Sequence, residues 1–350
     1  MFTIPFEDEA SLDTRLVGGK AFGLAQMAKS GLPVAPGFTV STRAYHQHLA
    51  DSGLKRRIAD LLATLSHEAV EPLSAAEAEI RAWFEEGEFP PAIRADIDAA
   101  YAALCARSGG LEAAVAVRSS ATAEDAEGAS FAGEYDTFVG MRGAEEVALY
   151  VRRCWASAYT ARSITYAWKN GISPTEVEMA VVVQKAVNAR AAGVMFTLSP
   201  LTGDRSRIVI EAAYGLGLSV VGGEVTPDRY VVSKIGLTLM EKTLGEKAVE
   251  YLNGETATKV APERRALFCL ADEEAVALAR LGKSLERQNG RPVDIEFAID
   301  RDLAPGANVI LLQCRPETYW SARHAANAAA PIDDPAKAVL DNTLRNARHR

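Results

Sequence analysis

An α+β chain is what this sequence predicts, on three observations. Helical periodicity dominates its first half, while short apolar runs rich in Val, Ile and Phe dominate the second. A long polar, Gly-rich stretch sits between regular elements near residue 120, where a mobile loop or lid is the natural reading. At 350 residues the chain can bury two or three units.

The elements follow in order. Residues 18–31 (GGKAFGLAQMAKSG) open on a glycine turn and space Ala21, Leu24, Ala25 and Ala28 as one helical face, with Gly31 as the stop. Lys20 thus sits where the turn enters the helix. A short strand is expected at 38–40, after Pro33, Pro36 and Gly37. From 45 to 109 the pattern is helical scaffold, with stripes Leu54/Ile58/Leu61/Leu62/Leu65 and Ile93/Ile97/Tyr101/Leu104. A strand at 115–118 precedes the polar stretch 119–140, and one helix is expected over 144–170. Strands at 179–185, 192–197, 208–213 and 228–233 then read as one sheet-rich unit. A helix at 267–288 and paired strands at 294–300 (DIEFAID) and 310–318 (ILLQCRPET) extend it, before an alanine-rich tail.

Apolar residues at 48% and charged residues at 24% fit an enzyme-like globular protein and exclude a fibrous or disordered one. A net charge of -8 argues against nucleic acid as a partner, although a local basic cluster can still hold a nucleotide. No leader pattern and no apolar run of membrane-spanning length is evident, so a cytoplasmic protein with no membrane partner is expected. Cys105, Cys154, Cys269 and Cys314 are scattered, without metal-ligand spacing.

Several residues could carry chemistry. Lys20 after two glycines could reach phosphate oxygens at a helix start, or be an ordinary surface lysine; the spacing is not that of a Walker A loop. Arg118 could fork two phosphate oxygens or pair locally with Glu124 or Asp125. Gly133 permits close backbone approach, and Thr137 offers a hydroxyl. Gln184 ends a run of valines, where it could meet a purine edge or be a satisfied core amide. Glu211, ahead of a glycine-rich segment, is a secondary acidic candidate. Glu296 and the Gln313 side-chain carbonyl are hard oxygens suited to Mg2+, with Arg315 to neutralise phosphoryl charge; a structural Glu/Arg pair is the alternative.

Taken together, five blocks in order resemble the N-terminal nucleotide-binding domain of the phosphoenolpyruvate synthase, pyruvate phosphate dikinase and rifampicin phosphotransferase family. They are LVGGKAFGLAQM, AVRSSATAEDAEGASFAG, VVVQKAV with AAGVMFT, EAAYGLG, and DIEFAID with ILLQCRPET, over about residues 15 to 318. The resemblance implies an ATP-grasp fold with a nucleotide cleft between two lobes. Residues 1–175 would form the N-terminal lobe, with its helical portion and phosphate-covering loop. Residues 176–320 would form the C-terminal lobe with the adenine and Mg site, and 321–350 the tail. It also implies ATP contacts from Lys20, Arg118, Gly133, Thr137, Gln184, Glu296, Gln313 and Arg315. Lys20, Arg118 and Arg315 would hold phosphates, Gln184 would lie near adenine, Glu296 and Gln313 would ligate Mg2+, and the loop 119–133 would cover the phosphates. Glu134 and Tyr135 depart from the family pattern, where glutamine and another polar residue are common.

Dikinases of this family pyrophosphorylate a histidine on a swivelling domain and release AMP. The Thr-Ser-His-Ala region of such a domain is absent here, so the resemblance implies a partner subunit carrying that histidine and the acceptor site. Phenylphosphate synthase, a split relative that phosphorylates phenol, has that arrangement and sets the expectation for the acceptor. A split phosphoenolpyruvate synthase, a free-standing ATP-grasp ligase or kinase, and an ATP-sensing module are the alternatives.

Overall fold

Two antiparallel sheets organise the computed structural model, which describes residues 1–65, 70–110, 112–122, 136–254, 256–321 and 323. The strands of the first are β1 (Thr3–Pro5), β2 (Gly37–Val40), β3 (Val115–Ala121), β4 (Thr137–Met141) and β5 (Met179–Lys185), in the order β1-β2-β5-β3-β4. Those of the second are β6 (Ala189–Phe196), β7 (Arg207–Tyr214), β8 (Asp228–Ser233) and β9 (Leu239–Thr243), followed after an intervening hairpin by a final pair. The hairpin is β10 (Val249–Tyr251) with β11 (Ala257–Lys259); the pair is β12 (Val293–Asp300) with β13 (Val309–Pro316). The second sheet runs β13-β12-β6-β7-β8-β9. The α+β class expected from the sequence is the class observed.

Helices α1 (Thr14–Lys29), α2 (Thr42–Asp51), α3 (Leu54–Leu62), α4 (Val70–Glu86), α5 (Pro91–Arg107), α6 (Ala144–Ala156) and α7 (Ala161–Lys169) belong to the first half. The short α8 (Leu218–Val221) and α9 (Pro262–Arg265) and the long α10 (Asp272–Asn289) follow. Pro91 opens α5 at its first turn, where its missing N–H costs nothing. The stripe Ile93/Ile97/Tyr101/Leu104 is buried as its spacing requires. One core joins α2–α7 to the first sheet; another packs α1 against both the first and second sheets and α10 against the second.

Four expectations need correction. The strand at 179–185 does not belong with the later strands: β5 is central in the first sheet, between β2 and β3. Its residues alternate between the two cores, Val181 and Val183 in one and Val182 in the other, so a run of valines covered on both faces gives no sign of which sheet it joins. The division between the sheets therefore falls after Lys185 rather than at 175. The helix expected over 144–170 is broken: α6 ends at Ala156, and α7 restarts with Thr160 as its cap, accepting from Ser163 N at 3.1 Å. The helix expected from 267 begins at Asp272, where Asp272, Glu273 and Glu274 favour the positive end of its dipole. Finally, the polar stretch 119–140 contains β4, and the exposed strands β9 and β11 lack the apolar alternation that would reveal them. No helix among the described residues is long and apolar enough to cross a membrane.

Candidate functional site

A cavity of about 320 Å³ opens between the two sheets, and side chains from both converge on it. Strand alternation explains the convergence. On β3, Ala116 and Arg118 share a face, joined across the ladders by Thr137 and Val139 of β4 and Gln184 of β5. On the second sheet Glu296 stands directly opposite Gln313, and Arg315 lies two residues on, opposite Asp294. Lys20, Arg118, Thr137, Gln184, Glu296, Gln313 and Arg315, expected from distant parts of the sequence, thus line one cavity.

Arg118 is its electrostatic centre. Its Nη1 donates to Leu312 O at 2.8 Å, and its Nη2 lies 3.0 Å from both Glu296 Oε2 and Gln313 Oε1. Those two oxygens therefore converge on one point, held here by a guanidinium. The Glu/Arg pair foreseen as an alternative does exist, but its arginine comes from the opposite sheet. Glu124 and Asp125, the local partners considered for Arg118, lie outside the described residues.

The same convergence tests the fit of Mg2+. Two hard oxygens aimed at one point, one of them anionic, suit that ion, and the 25% exposure of the Glu296 side chain leaves room for the waters it retains. Among the described residues no group of three or more His, Cys, Asp or Glu is poised for a metal. The protein thus offers two oxygens, in keeping with an ion that completes its shell from water and phosphate.

Lys20 is not a surface lysine. It is 7% exposed, and its Nζ donates to Ser119 O at 2.7 Å, beside Arg118 on β3. Gln184 is anchored by its amide nitrogen, which donates to Ala35 O at 3.0 Å while its side chain lines the cavity. Much of the remaining wall is small and apolar, including Ala116, Ala186, Ala192 and Ala298, leaving space for a flat ring. Glu211 lies off the main cavity, in a neighbouring one that shares Glu296, Gln313 and Arg315; Val194 separates it from Glu296 in the cross-strand row. Gly133 and most of the loop 119–133 lie outside the described residues, as do Glu134, Tyr135 and the tail beyond 323.

Asp294 escaped the sequence reading, although alternation along DIEFAID puts it on the face of Glu296. It shares the neighbouring cavity with Glu211 and Glu296, and its Oδ1 is buried without a hydrogen-bond partner among the described residues. Burial, reinforced by Glu317 and opposed by Arg315, pushes its carboxyl up to about 6. The described histidines lie elsewhere: His46 bonds Glu178 at 2.9 Å, and His48 is enclosed by aromatic rings of the helical core.

Residues 14–335 match the family model described as the pyruvate phosphate dikinase AMP/ATP-binding domain. A phosphoenolpyruvate synthase of Aeropyrum pernix is 40% identical over 359 aligned residues, covering 94% of this chain and 44% of that protein. A probable phosphoenolpyruvate synthase of Methanothermobacter thermautotrophicus is 43% identical, over 89% of this chain and 45% of its own length. The enzyme of Pyrococcus furiosus is 35% identical, over 94% and 45% respectively. The chain thus spans less than half the length of these relatives.

Proposed function

Since the chain belongs to the pyruvate phosphate dikinase AMP/ATP-binding domain family, with that family's ATP-grasp-type α+β fold, we propose that it is the nucleotide-binding part of a phosphoenolpyruvate synthase-like phosphotransferase. In this reading a histidine nitrogen outside the described residues attacks the β-phosphorus of ATP. The bond from that phosphorus to the oxygen shared with the α-phosphate breaks and AMP leaves with the oxygen; the terminal phosphoryl group then passes to water as inorganic phosphate, and the remaining phosphohistidine transfers its phosphoryl group to an acceptor. The observation that carries the proposal is the meeting of Lys20, Arg118 and Arg315 with Glu296 and Gln313 in one cavity drawn from both sheets.

Each residue has a task that follows from its setting. The Lys20 ammonium and the guanidinium groups of Arg118 and Arg315 supply positive charge where phosphate oxygens would lie. Glu296 and Gln313 would hold Mg2+, which when bound neutralises charge developing on the phosphoryl oxygens. The alanine-rich wall would take the base and exclude water, with Gln184 at its edge. Arg118, which here holds Glu296 and Gln313, would turn to phosphate in the loaded site and leave those two oxygens free for the ion.

The relatives are phosphoenolpyruvate synthases, and this favours pyruvate over phenol as the acceptor. Nothing among the described residues lining the cavity points to phenol, and none of the relatives reported above is a phenylphosphate synthase. The proposal is tested by incubating the chain with Mg·ATP, a histidine-bearing partner of phosphoenolpyruvate synthase type and either pyruvate or phenol. AMP with an acid-labile phosphoprotein is expected; ADP without that intermediate would eliminate the dikinase route.

A further inference from the structure

Helix α1 is two helical pieces joined at Gly18, whose φ of 74° and ψ of 173° interrupt the helical path. The leading turn ends at Val17, leaving a carbonyl without its helical partner, and the helix that restarts after Gly18 begins with amides in the same position. A serine or threonine just before a helix normally accepts from the second or third of those amides. Gly18 occupies that place and has no side chain to do so.

Ser120 of β3 performs the task from across the fold. Its Oγ accepts from Ala21 N, the third amide of the restarted helix, at 3.0 Å and donates to Val17 O at 2.7 Å. One buried hydroxyl thus closes both broken ends of α1, using its single donor and one acceptor site. The vacancy at Gly18 is the counterpart: a Cβ there would lie 2.1 Å from Ser120 O and 2.6 Å from Ser120 Oγ. Glycine is required both by the positive φ and by the hydroxyl that replaces its cap.

Between the capped amide and the glycine lies Lys20. Its Nζ donates to the carbonyl of Ser119, the neighbour of the capping serine, so side chain and backbone of the Lys20 turn are tied to the same two residues of β3. Losing the cap lets this first turn fray, and each residue unwound turns Lys20 by about 100° about the helix axis, away from the cavity. We infer that Ser120 is a positioning residue for Lys20, a cap supplied in trans that holds the ammonium in the cavity next to Arg118. The consequence for catalysis rests on the reading of Lys20 as a phosphate-holding group.

Two readouts separate the inference from that reading. The first, independent of nucleotide, is the rate at which an acylating reagent labels Lys20, resolved by peptide mass spectrometry on folded protein. Ser120→Ala is expected to speed this labelling severalfold, and Ser120→Thr, which keeps the hydroxyl, to restore the slow rate; Ser120→Cys gives an intermediate variant if the alanine chain does not fold. The second is Mg·ATP affinity in a double-mutant cycle with Lys20→Met. Ser120→Ala is expected to weaken binding about 5–10-fold in the parent and to change nothing in the Lys20→Met background. Unchanged labelling of Lys20, or an equal loss of affinity in both backgrounds, would overturn the positioning role. Faster labelling with an ATP affinity indifferent to Lys20→Met would uphold Ser120 and sink the phosphate role of Lys20.

Discussion

Lys247–Asp228 and Arg118–Glu296 are both ion pairs drawn largely out of water, and they differ in what their partners can do. Lys247 and Asp228 are 0% exposed at 2.5 Å, and every oxygen of the carboxylate is committed: Oδ1 also accepts from Gly245 N at 2.8 Å and Oδ2 from Cys269 N at 2.7 Å. The pair joins segments of the second half to one another and is closed off from solvent. Arg118 and Glu296 reach 3.0 Å from opposite sheets with side chains 10% and 25% exposed, and both face the cavity. Burial of charge therefore does not by itself mark function. What separates the second pair is that its members come from different sheets, and that a ligand can take the place of either.

The sharpest way to break this contrast is Asp228→Ala. It strands the Lys247 ammonium in the interior, so a loss of about 3–5 kcal/mol is expected by denaturant unfolding. A loss no larger than that of an exposed pair would show that Lys247 escapes to water. Arg118→Met reverses the emphasis: Glu296 can be solvated from the cavity, so stability should fall by only about 1 kcal/mol, while turnover in the proposed assay with a histidine-bearing phosphoenolpyruvate synthase-type protein should drop about 100–1000-fold. Turnover per folded molecule that stays constant would return the pair to a structural role.

Two buried titratable groups, one in each half of the fold, contribute to acid stability with opposite sign. Asp294, raised to about 6 on the second sheet, binds its proton more readily folded than unfolded, so its contribution is favourable below its ordinary carboxylate value and is lost as pH rises through 6. Asp294→Asn should therefore stabilise the nucleotide-free chain by up to ~3 kcal/mol at pH 8 and by almost nothing near pH 3.5. A gain independent of pH would assign the effect to packing. In the first half, His48 has both ring nitrogens without hydrogen-bond partners among the described residues, and burial, aided by Arg152 and opposed by Asp51, holds it down to about 4. Its stabilising contribution is present above 6.5 and is lost as pH falls toward 4. His48→Phe, amid Phe84, Phe89 and Trp155, should recover about 2 kcal/mol at pH 5 in melting curves, and only the packing difference at pH 8.

The sequence was most legible where chemistry and periodicity coincide. Glu296, Gln313 and Arg315 are brought together by one hairpin ladder, so two neighbouring segments sufficed to place them. Lys20 and Arg118 carry no local sign of burial, and only pairing across nearly a hundred positions puts them beside each other. β5 was misplaced because a strand covered on both faces has no alternation to read. Ser120 was hidden for a related reason, since a cap supplied from another strand leaves no motif at the helix it serves.

Calorimetric titration of the chain with ATP, with and without Mg2+, bears most directly on the cavity as a Mg·nucleotide site. Saturable binding at one site is expected, tightened by Mg2+ in the parent, with the tightening abolished by Glu296→Gln and binding weakened by Arg118→Met. Nucleotide binding indifferent to both substitutions, or no binding by the folded chain, would contradict it.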